Sequence, residues 1–451
     1  MAAPARRARR DPEPVQSFLD CLRYFLTAPL WRQVHQALRH HRASRWQPQP
    51  LLFVLLVMTW CSGASVAERF ETAKAFYIAS YQRKRRPGKT VEGFHKALAR
   101  LPAPVLRAVA AALRRRLMHV FAARFASDGF VPLGCDGSRL DCPRTPELEQ
   151  RLLSKKGRKR FYPPQVGVTA LVHLALGLLW SWRLGGPRGG EQKHLIELLA
   201  TLPANALIVA DAGYVGYALL QKLQAGGHAF LIRLSANAPL FVTEAVALSR
   251  FREGAMYYWP QQDQKRDPPI PVRVLRIRGR KVDVWLMTNV AAGRLPAALA
   301  EKFYRWRWRN EGLFRTYKCT LGKVKLVSRT VAQVHREAEG SLLAVQLLLA
   351  QGALGLRSAG AAPRVLPSAR QVLLAIRAEI RDVTGMYLGP RQRQTYWQRL
   401  QRRRRDRRRH RRNQVRRRWP GRADHKPPQP PRILKMGTIL KELLAKTLGS
   451  G

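Results

Sequence analysis

Residues 129–140, GFVPLGCDGSRL, form a short apolar run that closes on a turn-forming Asp-Gly-Ser. Such a run predicts a buried β-strand ending near Asp136. The pattern downstream extends it. QVGVTALVHLALGLLWSWRL, residues 165–184, predicts two strands joined by a tight turn near Gly177. EQKHLIELLATL (191–202) predicts a helix, NALIVADAGY (205–214) a strand, VGYALLQKLQAG (215–226) a helix and HAFLIRL (228–234) a strand. Three strands able to pair antiparallel thus lead into alternating strands and helices.

That order is the RNase H-like topology, a mixed sheet in the α/β class. On the N-terminal side, a basic stretch of residues 1–14 precedes residues 15–126, whose apolar spacing of three and four predicts a helical domain. The α/β domain itself spans 127–345. Within it, residues 236–292 (APLFVTEAVAL, GAMYYWPQ, PVRVLRIRG and KVDVWLMTNV) predict the strands of an inserted β-rich subdomain. Residues 346–398 return to helix, 399–432 are rich in Arg and Pro, and 433–451 predict an amphipathic helix. The most apolar stretch, Leu51 to Cys61, is far shorter than the ~20 residues of a bilayer span, so a buried core helix is expected there and no membrane is.

Lys and Arg number 82 among the 451 residues, against 28 Asp and Glu, for a net charge of +54. A polyanion, nucleic acid above all, is the expected partner. The charge argues against a secreted disulfide scaffold, and the five cysteines include no Cys-x-x-Cys pair, so neither a zinc ribbon nor a thioredoxin-type site is suggested; a reduced cytoplasmic setting is expected, nucleoid-associated if DNA is the partner. Arg399 to Arg418 holds 13 Arg and one Asp, yet the chain without it still carries +42, so the body is basic as well. A ribosomal or RNA-coating protein would share that balance.

With acids this scarce, their placement is informative. Asp136 and Asp211 each end an apolar strand, where a carboxylate is desolvated unless something positive compensates. Either alone fits a turn cap; the pair, at the ends of adjacent predicted strands, favours a metal site. A third acid lies in EKFYRWRWRNEGLFRTYKCTLGK, residues 301–323. At about 100° per residue, Tyr304, Arg307, Glu311 and Lys318 share one helical face, with Arg315 beside them. One carboxylate among cations and a phenol suits a metal with phosphate; a salt-bridged solvent face is the other reading.

The spacing Tyr304-x2-Arg307-x3-Glu311-x6-Lys318 resembles the Y-R-E-K signature of insertion-sequence DDE transposases. The DAGY at 211–214 is similar to that group's second motif, with Ala where Arg is commoner, and CDGSRL at 135–140 is similar to the first. The separations, 75 and 100 residues, leave room for the strand insertion such proteins carry before the Glu. The resemblance covers about residues 127–345. It implies that Asp136, Asp211 and Glu311 are catalytic and hold two Mg²⁺ ions, with Mn²⁺ able to substitute. It also implies cleavage at transposon ends and transfer of a 3′-hydroxyl into target DNA by a homodimer in a synaptic complex on double-stranded DNA. Tyr304, Arg307, Arg315 and Lys318 would contact phosphates.

The resemblance further offers Trp259 as a stacking partner for an unpaired base, where a core position is the ordinary reading. Trp306 and Trp308 read as packing residues, and Asp141 as a turn or spare acid. The basic loop with Lys155, Lys156 and Arg158 and the loop from Arg83 to Lys89 read as phosphate contacts. Two other classes stay open on sequence: a domesticated, catalytically inactive nucleic-acid-binding protein, and another RNase H-like nuclease.

Overall fold

The computed structural model describes residues 17–37, 44–81, 86–153, 163–186, 190–244, 247–260, 267–279, 282–358, 365–385 and 430–436. The chain divides into two compact units, residues 1–116 with 350–405 and residues 117–349 with 406–451.

The first unit is helical, as the apolar spacing predicts. It holds α1 (Phe18–Phe25), α2 (Ala28–Ala37), α3 (Pro48–Trp60), α4 (Val66–Ser80), α5 (Val91–Arg100) and most of α6 (Ala103–Val120). Ser17 and Asp20 start α1 with a reciprocal capping box, and Ser65 and Thr90 cap α4 and α5 with their hydroxyls. The apolar helix expected at Leu51–Cys61 is α3, buried nearly all round. Its Phe53 stacks on Phe76, and Phe18 meets Trp60 edge to face.

The second unit is a mixed α/β layer structure. It runs α7 (Ala122–Phe125), β1 (Val131–Asp141), α8 (Pro146–Leu152), β2 (Gln165–His173), β3 (Leu178–Gly185), α9 (Glu191–Leu198), β4 (Ala206–Ala210), α10 (Tyr217–Ala225) and β5 (Ala229–Arg233). It continues with β6 (Pro239–Val242), β7 (Glu253–Tyr258), β8 (Ile270–Ile277), β9 (Val284–Thr288), α11 (Ala297–Trp306) and α12 (Trp308–Arg315). Helix α13 (Val331–Ser358) follows, its residues from Ala350 being counted with the first unit; α14 (Ala369–Val383) belongs to the first unit, and β10 (Arg432–Lys435) returns to the sheet. Helix α13 is long and apolar enough to cross a membrane, and its apolar window is buried in the protein.

The sheet order is β10-β6-β7-β8-β9-β5-β4-β1-β2-β3. The predicted hairpin β2–β3 turns at Gly177, whose φ of 66° suits a residue without a Cβ. Strands β1, β4 and β5 are parallel neighbours, β4 and β5 being joined through α10. The insertion is not a separate layer: β9 pairs antiparallel with β5, and β8, β7 and β6 extend the same sheet.

Side chains alternate between the two faces. Val131, Leu133 and Cys135 of β1 join Ile208, Ala210, Phe230 and Ile232 in a core with Leu195, Leu198, Leu219, Leu220 and Leu223 of α9 and α10. Helix α12 meets β1 on the opposite face, where a Cβ added at Gly134 would stand 2.5 Å from Asn310 Oδ1. Gly134 is thus small because a helix packs there.

Two sequence expectations need correction. Asp136 does not end its strand: β1 continues to Asp141 because Gly137, Ser138, Arg139 and Leu140 keep pairing with β2, and Leu140 is fully buried. Residues 432–435 form β10, parallel to β6, where a helix was expected from 433. Ile and Leu there fill the sheet edge, and the rest of that expected helix, like the Arg399–Arg418 block, lies outside the described residues.

Candidate active site

The parallel register of β1 and β4 ends with Gly134 opposite Val209. Carried two residues on, it sets Asp211 level with Asp136 on the neighbouring strand. Beyond Ala210, β4 stops while β1 continues, so the β1 edge opens at the height of Asp136. Asp136 therefore stands where a pairing partner is missing, although it lies in the middle of its own strand.

Asp136 is half-buried, and its carboxyl is pushed up from 3.8 to about 6. Burial is the largest cause; the Gly137 amide, 2.8 Å from Oδ1, opposes it, Asp211 and Glu191 raise it by like charge, and Arg307 lowers it. Asp211 also caps its own turn, its Oδ1 accepting from the Gly213 amide at 3.0 Å. The turn-cap and metal readings are thus compatible at this residue: one oxygen serves the backbone and the other remains.

The predicted Tyr-Arg-Glu-Lys helix is not one regular α-helix. Arg307, between α11 and α12, keeps helical backbone angles while the hydrogen bonding tightens to i→i+3, and the chain then widens into a π-helical turn at Thr316–Thr320. The uniform 100° step fails at both places, so Tyr304, Arg307, Glu311 and Lys318 do not form one straight stripe. Arg307 is buried, with Nε unpartnered, and its guanidinium lies 5.6 Å from the Tyr304 ring centre and 5.5 Å from that of Trp308. Glu311 and Arg315 are exposed, and Tyr304 and Lys318 half-buried. Among the described residues, no three His, Cys, Asp or Glu side chains converge closely enough to form a metal cage. The structure brings Asp136 and Asp211 together and sets Arg307 beside them; it leaves Glu311 outside a closed set.

As donors, Asp136 and Asp211 fit a hard divalent cation: they are oxygen ligands, close, like-charged and partly desolvated.

Other expectations divide. Trp259 is a core residue, 2 % exposed, its indole N–H donating to the Asp267 carbonyl at 2.8 Å and its ring against Phe241. That geometry corrects the stacking role. Trp308, read as packing, is 58 % exposed. Trp306 does pack, between Phe303 and the Arg309 guanidinium. Asp141 is structural, accepting from Gln165 and exchanging backbone bonds with Val324 and Leu326. Lys155, Lys156 and Arg158 lie outside the described residues, as does Arg83.

Sequence reasoning missed Glu191, which opens α9 after the Gly-rich loop, and Asn310. The Asn310 side chain is fully buried with both polar atoms unpartnered. The signal for Glu191 was a rare acid at a helix start; nothing in the pattern set Asn310 apart.

Residues 135–347 match the family model of the transposase DDE domain. The match begins one residue before Asp136, contains Asp211 and Glu311, and covers just under half of the chain. No curated protein matches. Among solved structures, the chain is similar to one described as the cryo-EM structure of a piggyBac transposase synaptic complex with hairpin DNA, at 11 % identity and a TM-score of 0.43 over 82 % of each chain. That likeness is too distant to bear on the site.

Proposed function

We propose that the chain is a DNA transposase of the Y-R-E-K type. It would cleave at transposon ends in a divalent-metal-dependent reaction and join the freed 3′-hydroxyl to target DNA. The observation that carries this reading is the level pairing of Asp136 and Asp211 at an opened strand edge, inside a segment matching the transposase DDE domain.

Asp136 and Asp211 would hold Mg²⁺ or Mn²⁺, with Glu311 completing the set once α12 and the DNA are engaged. When bound, the cations would supply charge neutralisation at the scissile phosphate and activation of the attacking hydroxyl. Arg307, buried beside Asp136, offers a fixed cation to a phosphate oxygen. Tyr304 and Lys318 would flank it, and Arg315 is exposed for a backbone contact farther along. The helical region 15–126 would bind the terminal repeats, two subunits would hold two ends, and the basic body would retain the DNA in the nucleoid.

The test is a supercoiled plasmid carrying the element's own ends, incubated with the protein and Mg²⁺. Wild type is expected to nick or release the ends, and Asp136→Asn to leave them intact. Equal cleavage by both proteins would overturn the assignment. Binding without cleavage by wild type would favour an inactive DNA-binding descendant.

A further inference from the structure

Asn310 is fully buried against the bare backbone of Gly134, yet neither end of its amide finds a hydrogen-bond partner. Such a side chain is costly and calls for a state in which it is satisfied. Its neighbour Glu311, the acid the sequence sets with Asp136 and Asp211, is exposed. Arg307, three residues before Asn310, is buried with Nε unpartnered. The winding around these residues is uneven. The Arg307 N–H donates to the Tyr304 carbonyl at 3.1 Å, a tight i→i+3 turn, whereas the Leu321 N–H reaches back five residues to Thr316 at 3.0 Å.

Uneven winding is a rotation. A tight turn advances about 120° per residue, against about 100° in an α-helix. Over the three residues of that turn, α12 is carried about 60° ahead of a regular helix continued from α11. The wide turn at Thr316–Thr320 winds by less per residue and takes that lead back. Regular winding throughout would turn α12 back by about 60°: Asn310 would leave its line to β1, and Glu311, now about 100° from that line, would come within about 40° of it. Gly134 leaves room on β1 for the incoming side chain, and Asp136 lies two residues on, on the same face. The regular state is also the one in which Tyr304, Arg307, Glu311 and Lys318 share a face, as their spacing requires. Leu313, buried now, would turn outward, which keeps the present winding as the resting state.

We propose that α12 is a two-position helix that rotates when DNA is bound, turning Asn310 out of its place against Gly134 and Glu311 in toward Asp136. The trigger is a DNA phosphate at Arg307, whose unpartnered guanidinium nitrogen lies at the tight turn. This rests on reading Glu311 as a catalytic acid and deepens it: the acids stand apart in the protein alone, and seating a DNA end assembles them.

The experiment is maleimide labelling of Asn310→Cys and Glu311→Cys in the full chain, in chelator, with and without a saturating duplex of the terminal repeat. Both variants carry Cys319→Ser, which removes the exposed cysteine; the other four are buried. Without DNA, Glu311→Cys should label about tenfold faster than Asn310→Cys or more. DNA should raise the rate at Asn310→Cys by about tenfold and slow it at Glu311→Cys. DNA can shield a site but does not expose a buried one, so the rise at position 310 decides. An unchanged rate at Asn310→Cys, with bound DNA verified by gel shift, would overturn the rotation. Asn310→Leu is the second variant: it fills the buried place with an apolar side chain, should melt no lower than wild type and bind DNA normally, and should join ends about a hundredfold more slowly. Wild-type joining by Asn310→Leu would also overturn the rotation. Labelling needs no chemistry, so the two readings part cleanly. Exposure at position 310 with undiminished joining by Glu311→Gln sinks the catalytic role of Glu311, whereas lost joining by Glu311→Gln without that exposure sinks the rotation alone.

Discussion

Asp136→Asn should make the metal-free protein more stable while abolishing its chemistry. The folded carboxyl titrates at about 6 against an ordinary 3.8, chiefly because burial disfavours its charge. Two units at about 1.4 kcal/mol each make the ionised form about 3 kcal/mol unfavourable at neutral pH. The group is only half-buried, so solvent screening reduces this to about 1–2 kcal/mol. For a unit of 279 residues, with an unfolding entropy near 0.6 kcal/mol/K, that is a rise of about 2–3 °C in Tm. The assay is thermal unfolding in chelator at pH 7.5 and at lower pH. A raised carboxyl means the native state holds its proton longer than the unfolded chain, so wild type loses stability as pH rises from about 4 through about 6. The advantage of Asn should therefore be full above pH 6 and vanish near pH 4. Mn²⁺ should reverse the order by stabilising wild type alone. A variant melting lower than wild type at pH 7.5, or a gap that ignores pH, would refute the reasoning.

Three other perturbations probe the surroundings. Gly134→Ala forces a methyl against Asn310 and Leu174 and should lower stability by about 1–3 kcal/mol in chemical denaturation. Trp259→Ala removes a core indole and its bond to Asp267, so it should cost about 3–5 kcal/mol; a normal melting curve with weakened DNA binding would restore the stacking role. Burial pushes the Glu337 carboxyl up, but the Lys323 ammonium at 3.1 Å and the Ser328 amide hold it below its ordinary 4.5. Its contribution is present above pH 4.5 and lost as pH falls through the folded value, and Lys323→Met should lower stability by about 3–5 kcal/mol and erase that acid limb.

The β2–β3 hairpin and the β4–α10–β5 unit were legible because period-two strands, a glycine turn and period-3.6 helices each leave a local pattern. The placement of Asp136 was only half legible: an Asp-Gly after an apolar run reads as a turn, and the pairing of residues 137–140 with β2 is a long-range fact. The tightening at Arg307 and the π-helical turn at Thr316–Thr320 leave no mark in a pattern read with one helical repeat. The contacts of Glu191 left no local pattern because Gly137 and Tyr214 reach it from two other elements. The C-terminal strand was misread because Ile433 and Leu434 suit a helix face and a sheet edge equally, and β6 supplied the edge.

The central claim is that Asp136, Asp211 and Glu311 perform phosphodiester transfer. The direct measurement supplies a pre-cleaved, end-labelled duplex of the terminal repeat and unlabelled plasmid, and counts label joined covalently to the plasmid with Mg²⁺. The account predicts joined product with wild type and none with Asp136→Asn, Asp211→Asn or Glu311→Gln. Undiminished joining by any of the three variants would contradict it.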